Sequence, residues 1–125
     1  MDHAALFQPI RMRDLTLANR VVIAPMCQYS AENVCMNDRH LIHLGHLALS
    51  GAAILHVEAT AVLKEGRITY ADVGPYNDET ECAMGRILDS IRRWSDMPIG
   101  IQLSHAGRKS SCQVPWERRA TDRSA

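Results

Sequence analysis

The sequence predicts an α/β fold built on a parallel sheet or barrel, and three observations carry that expectation. Val21-Val22-Ile23-Ala24 is apolar without alternation and runs straight into Pro25-Met26-Cys27-Gln28-Tyr29, so a thiol, an amide and a phenol stand where a buried strand would meet solvent. Ile99-Gly100-Ile101-Gln102-Leu103 does the same, running into Ser104-His105-Ala106-Gly107-Arg108-Lys109. Between them, helix signals alternate with another apolar run, which is the pattern of strands covered by helices.

The elements follow in order. Ile10-Arg11-Met12-Arg13-Asp14-Leu15-Thr16-Leu17 alternates apolar and polar on both sides of Arg13-Asp14, the pattern of a small capping hairpin with one buried face. Val21 to Ala24 reads as a strand buried on both faces, ended by Pro25, which has no N–H to give a ladder. Asn37 or Asp38 caps a helix through His40, Leu41, Leu44 and Ala48, with Gly51 at C′. Ala52 to Val62, apolar and partly β-branched, is the second strand and completes a βαβ unit. Lys64 to Asn77 holds Gly66, Gly74 and Pro75 with little periodicity and reads as a long loop, the kind of segment that carries function. Asp78 then caps a helix with Glu81 three residues on, and Ala83, Ile87, Leu88, Ile91 and Trp94 mark one apolar face. Asp96-Met97-Pro98 breaks it, and Ile99 to Leu103 is the third strand.

Composition narrows the function. The chain has 125 residues, with 14 acidic and 14 basic side chains, which argues against a nucleic-acid or polyanion binder and for a small-molecule partner. No stretch approaches the roughly 20 apolar residues of a membrane span, and the N-terminus has no secretory pattern, so the expectation is a soluble, cytoplasmic chain with no membrane partner. Cys27, Cys35, Cys82 and Cys112 are irregularly spaced with no CxxC pair, and reduced thiols are expected. The dinucleotide, P-loop, zincin and nucleophile-elbow fingerprints are all missing, so a nucleotide-like cofactor needs another cradle.

Each candidate residue has a plain structural reading beside the chemical one. A cysteine after a strand is often just packing, but Tyr29 two positions on places a phenolic donor on the same side of an extended segment. Gln102 in an apolar run costs a few kcal/mol unless its amide is matched, either by backbone or by a ligand. His40, His43 and His46 look like metal spacing, yet steps of three drift by about 60° in a helix, so the outer two point about 120° apart and no metal is expected. His56 and Glu58 share one face of the second strand and read as a structural hydrogen-bonded network.

Six segments then combine into a resemblance. They are Leu6-Phe7-Gln8-Pro9-Ile10, Leu17-Ala18-Asn19-Arg20-Val21, Pro25-Met26-Cys27-Gln28-Tyr29, Val57-Glu58-Ala59-Thr60-Ala61-Val62, Gly66-Arg67-Ile68, and Gly100 through Lys109. In order and spacing the stretch from Leu6 to about Glu117 resembles the N-terminal part of the old yellow enzyme family, in particular its bacterial xenobiotic-reductase branch. The resemblance implies an FMN-containing (β/α)₈ TIM barrel that takes hydride from NAD(P)H and delivers it from the flavin to an activated alkene such as an enone. It implies that Ala24, Pro25, Met26 and Cys27 line the flavin, that Ala59 meets the ring with its backbone, and that Gln102 pairs with the pyrimidine edge. Cys27 and Tyr29 are the implied catalytic pair, the thiol tuning the flavin and the phenol contacting substrate. Active sites of such barrels gather at the C-terminal ends of strands, where these residues lie.

A complete barrel takes about 250 residues. Residues 1–117 are therefore expected to form its N-terminal part, an incomplete barrel of a hairpin plus about three βα units, with residues 118–125 an unstructured polar tail. By itself such a piece is expected to lack ene-reductase activity and to expose unpaired strand edges, through which it forms a homo-oligomer or aggregates. The alternative reading is a non-enzymatic α/β module that pairs those edges.

Overall fold

Apolar–polar alternation around Arg13-Asp14 closes the N-terminal hairpin. β1 (Ile10–Met12) and β2 (Leu15–Leu17) pair antiparallel with Ile10 opposite Leu17, and Arg13 makes the turn at φ 54°. The computed structural model describes residues 4–117, and the polar tail expected at 118–125 lies outside them. Leu17 is buried at the base of the hairpin while Met12 and Leu15 stay exposed, so the expected buried face is realised only at one end.

Three parallel strands follow: β3 (Val22–Ile23), β4 (Ile54–Ala61) and β5 (Ile99–Ser104), in the order β3-β4-β5. α1 (Asp38–Ala48) and α2 (Asp78–Arg92) make the crossovers that parallel pairing requires. Both helices start at an asparagine. The Asn37 side chain accepts from the backbone and His40 closes its capping box; Asn77 does the same with Thr80, one residue earlier than the acidic run suggested. α1 ends at Leu49, and Gly51, two positions on rather than one, takes the left-handed turn at φ 82°. Asn19 fastens this exit to β3, its amide donating to Gly51 O (2.9 Å) and its oxygen accepting from Val21 N–H (2.9 Å).

The helices pack on one face of the sheet. Leu55 and Val57 of β4 meet Leu44 and Ala48 of α1 and Ile87 and Ile91 of α2, with Ile23 and Ile99 at the margins. Val22, expected to be covered on both faces, is 54% exposed, because α1 and α2 cover only one face of this open sheet. Leu103 on the edge strand β5 is 62% exposed for a similar reason: no described strand pairs with its outer edge. Trp94, counted on the α2 apolar face from its spacing, lies beyond the helix end and is exposed. Among the described residues no helix is long and apolar enough to cross a membrane.

The ladder between β4 and β5 is not regular. Leu55, His56 and Val57 pair with Ile99, Gly100 and Ile101, but Ala59, Thr60 and Ala61 pair with Gln102, Leu103 and Ser104, so β4 carries an extra residue at Glu58. This bulge sits just below the strand exits and re-aims the side chains there.

Candidate functional site

β3 ends where Pro25 removes a donor, and the chain continues through a segment wired to its surroundings residue by residue. Gln28 is the hub. Its side-chain amide donates to Met26 O (2.9 Å), its backbone N–H donates to Glu58 Oε2 (3.0 Å), and its Oε1 accepts from the Arg39 guanidinium (3.1 Å). Ser30 Oγ donates to Gln28 O (2.9 Å). Between them Tyr29 stands at φ 49°, a left-handed conformation that is unfavourable for an aromatic residue.

That conformation brings Tyr29 and Cys27 together. Cys27 and Tyr29 lie close enough that each shifts the titration of the other, and the Ala59 backbone acts on the thiol as well. Burial pushes the Cys27 thiol above its ordinary value; the Ala59 backbone and the Tyr29 hydroxyl pull it down, while the charges of Glu58 and Asp72 add to the rise. The net direction is upward, so at neutral pH Cys27 is a thiol and a weak donor, not a thiolate nucleophile. Tyr29 is raised as well, by burial first and then by Cys27 and the nearby acids.

Ala59 leads across the sheet to Gln102, its register partner on β5. Partners in a parallel ladder share a face, and the pairs His56–Gly100, Ala59–Gln102 and Ala61–Ser104 lie on the face opposite the helices. Gln102 is exposed and its amide makes no hydrogen bond among the described residues. The cost anticipated for a buried amide is therefore absent, and its donor and acceptor are both free to meet a ligand. Ala24 and Met26 are exposed on the extension of β3, and Pro25 and Cys27 are half-buried beside them. The structure thus joins Cys27, Tyr29, Ala59 and Gln102 in one connected surface, flanked by the Ala24–Met26 segment.

His56 and Glu58 do not form the expected network, because the bulge separates them. Glu58 reaches Gln28 and α1, where its Oε1 lies 3.8 Å from His40 Nε2. His56 lies against Gly100, where an added Cβ would come within 2.7 Å of its Cδ2, and its Nδ1 has no partner among the described residues. His40 is fully buried as the closing member of the α1 capping box. No cluster of three or more histidine, cysteine or acidic side chains suited to a metal occurs among the described residues.

The sequence reading missed the walls around Tyr29. A recess of about 460 Å³ is lined by Tyr29, Ile68, Thr69, Lys109, Cys112 and Pro115, and Trp116 packs edge-on against the Tyr29 ring with centroids 6.5 Å apart. Its floor is the junction of two loops. Cys112 N–H donates to Ile68 O (2.7 Å), and Ala106 N–H donates to Gly66 O (2.8 Å). Gly66 lies flat against the His105 ring, where an added Cβ would sit 2.8 Å from Cδ2. Asp72, buried, staples the first loop by accepting from Ile68 N–H (2.6 Å) and the Thr69 hydroxyl (2.8 Å). Gly66-Arg67-Ile68 and the run ending at Lys109 are the sequence segments that border this recess opposite Tyr29.

Comparison with known proteins extends these observations. Residues 5–125 match the NADH:flavin oxidoreductase / NADH oxidase family. The chain is 48% identical over 111 residues to NADH:flavin oxidoreductase FG08077 of Gibberella zeae, covering 89% of this chain and 27% of that protein. It is 42% identical over 107 residues to an NADPH dehydrogenase of Listeria monocytogenes serotype 4a, covering 84% and 31%. Among solved structures it superposes on morphinone reductase with a TM-score of 0.76 at 26% identity, covering 85% of this chain and 28% of that one. It shares its fold with the old yellow enzyme from Trypanosoma cruzi, TM-score 0.73 at 24% identity, covering 85% and 28%. The chain thus spans under a third of the length of the relatives it matches.

Proposed function

The chain belongs to the NADH:flavin oxidoreductase / NADH oxidase family, and from that premise we propose that its strand exits form one wall of the flavin site of an FMN-dependent, NAD(P)H-consuming ene-reductase. The observation that carries this reading is the connected surface from Tyr29 and Cys27, through the Ala59 backbone, to the unpartnered amide of Gln102. It fits a flat heterocycle. Ala24 and Ala59 project only methyl groups, so a planar ring can approach the wall closely, and the Gln102 amide offers one donor and one acceptor to a pyrimidine edge. Held there by Ala24, Pro25, Met26, Cys27, Ala59 and Gln102, FMN would supply hydride transfer from NAD(P)H to an activated alkene such as an enone.

The chain's own residues set the conditions for that chemistry. Cys27 keeps its proton and presents an S–H close to the wall, a contact that tunes an electron-rich ring without attacking it. Tyr29 has its ring on the wall of the recess, packed edge-on against Trp116, which assigns it to substrate contact rather than proton delivery. Ile68 and Pro115 give that recess an apolar lining suited to an enone ring, and Lys109 gives it a cation at the rim.

Because the chain covers 27% to 31% of its relatives, the remaining wall of the site comes from the rest of a barrel. The test joins residues 1–117 to the remaining barrel of the Listeria relative. The expected product is yellow, binds FMN stoichiometrically and reduces cyclohexenone with NAD(P)H, whereas the 125-residue chain alone does not turn over. A folded hybrid without flavin would sink the reading.

A further inference from the structure

A carboxylate on an interior strand is costly unless its oxygens are matched. Glu58 is 3% exposed, yet Oε1 has no hydrogen-bond partner among the described residues and Oε2 accepts from Gln28 N–H. Facing Oε1 at 3.8 Å is His40 Nε2, fully buried and likewise without a hydrogen-bond partner among the described residues. His40 Nδ1 is engaged by Asn37, lying 3.2 Å from its backbone N and 3.0 Å from its Oδ1, which leaves Nε2 as the ring nitrogen that faces the carboxylate. The separation is too long for a hydrogen bond but keeps the two groups in electrostatic contact.

The backbone that Glu58 holds belongs to Gln28, the residue between Cys27 and Tyr29. A left-handed aromatic residue costs about 1–2 kcal/mol and relaxes unless both flanks are fixed. On one side Glu58 holds the Gln28 N–H; on the other, Ser30 Oγ holds Gln28 O and Asn37 Nδ2 holds Ser30 O (2.8 Å). Of these anchors, Glu58 is the one that also carries charge toward the thiol.

We propose that Glu58, backed by His40, is a positioning residue that clamps the Gln28 amide and so holds Cys27 and the left-handed Tyr29 in place on either side of it. This rests on the roles proposed above for Cys27 and Tyr29, but its readout needs no flavin. The groups facing Cys27 are Glu58 from β4, Asp72 from the loop after β4, the Tyr29 hydroxyl and the Ala59 backbone; His40 and His43 face Glu58 from α1. Glu58 thus has two separable effects, a hydrogen bond that sets geometry and a charge that adds to the upward push that burial gives the thiol.

The full chain carrying Glu58→Gln or Glu58→Ala is labelled with iodoacetamide across a pH series, and Cys27 is read by peptide mass spectrometry. Gln28 amide exchange is measured in parallel. Glutamine keeps an oxygen for Gln28 and loses the charge, so Cys27 labelling at pH 8 rises several-fold while the Gln28 amide stays protected. Alanine loses both the charge and the protection. A wild-type Gln28 amide that exchanges as fast as an unstructured peptide overturns the clamp, and this measurement needs no variant to fold. A Glu58→Gln labelling profile identical to wild type overturns the electrostatic half. Absence of flavin from the hybrid barrel would leave both readouts unmoved, so the two proposals fail separately.

Discussion

Ala59 on β4 stands opposite Gln102 on β5, the first pair after the register slips beyond Val57. Had the ladder continued without the slip, Glu58 would face Gln102 and a carboxylate would occupy the surface where a methyl group now lies. The bulge turns Glu58 toward α1 and gives the open face to Ala59.

Gln102→Leu separates binding from folding. Its amide is exposed and unpartnered among the described residues, so stability in urea stays within about 0.5 kcal/mol of wild type. In the hybrid barrel FMN affinity falls about tenfold, the worth of a lost hydrogen-bond pair with one group left unmatched. Equal affinities in a flavin titration would remove Gln102 from the site.

Tyr29→Phe keeps the ring against Trp116 and removes the donor that lowers the Cys27 thiol. The thiol then titrates higher, and its alkylation between pH 8 and 9 slows. The linkage has a definite sign. A thiol raised in the folded state stabilises fully below its ordinary value of 9.0 and loses that contribution as pH climbs through the folded value. Cys27→Ala flattens this alkaline decline in urea midpoints measured from pH 8 to 11; a decline of unchanged steepness would place its source elsewhere.

Gly100→Ala drives a methyl group to within 2.7 Å of His56 Cδ2 on the neighbouring strand. The ring must shift inside a paired ladder, at a cost of about 1–3 kcal/mol. Adding His56→Ala removes the clash, and the double mutant recovers most of that loss relative to His56→Ala alone. Strict additivity in a denaturation cycle would show that the two residues do not touch.

Asn37→Ala costs more than Asn77→Ala although both residues cap helices. Each loses a cap worth about 1 kcal/mol. Asn37 alone also donates to Ser30 O (2.8 Å) and to Glu32 Oε1 (3.0 Å), tying the cap to the Tyr29 segment. Guanidinium melts of the two variants give the difference directly, and equal losses would mean that these ties contribute nothing.

Much of the fold was legible because its signals are local. The hairpin at Arg13-Asp14, the break at Pro25 and the apolar stripe of Ile87 and Ile91 each depend on residues a few positions apart. The candidate site was legible at its strand exits for the same reason. The Glu58–Gln28 bond spans 30 positions, and the recess at Tyr29 depends on Lys109 and Cys112, which arrive from the far side of two helices. No periodicity reports such meetings. His56 and Glu58 were grouped by strict alternation, and one inserted residue was enough to part them.

By itself the sequence determined the order of strands and helices, the helix starts to within a residue and the residue types available at each strand exit, since these follow from hydrophobic period, capping chemistry and backbone restriction within single segments. Which of those residues touch was decided only by the tertiary structure. Strand register, the bulge at Glu58 and the left-handed turn at Tyr29 are settled by packing and hydrogen bonds between segments distant in the chain, and these bring Cys27, Tyr29, Ala59 and Gln102 onto one surface.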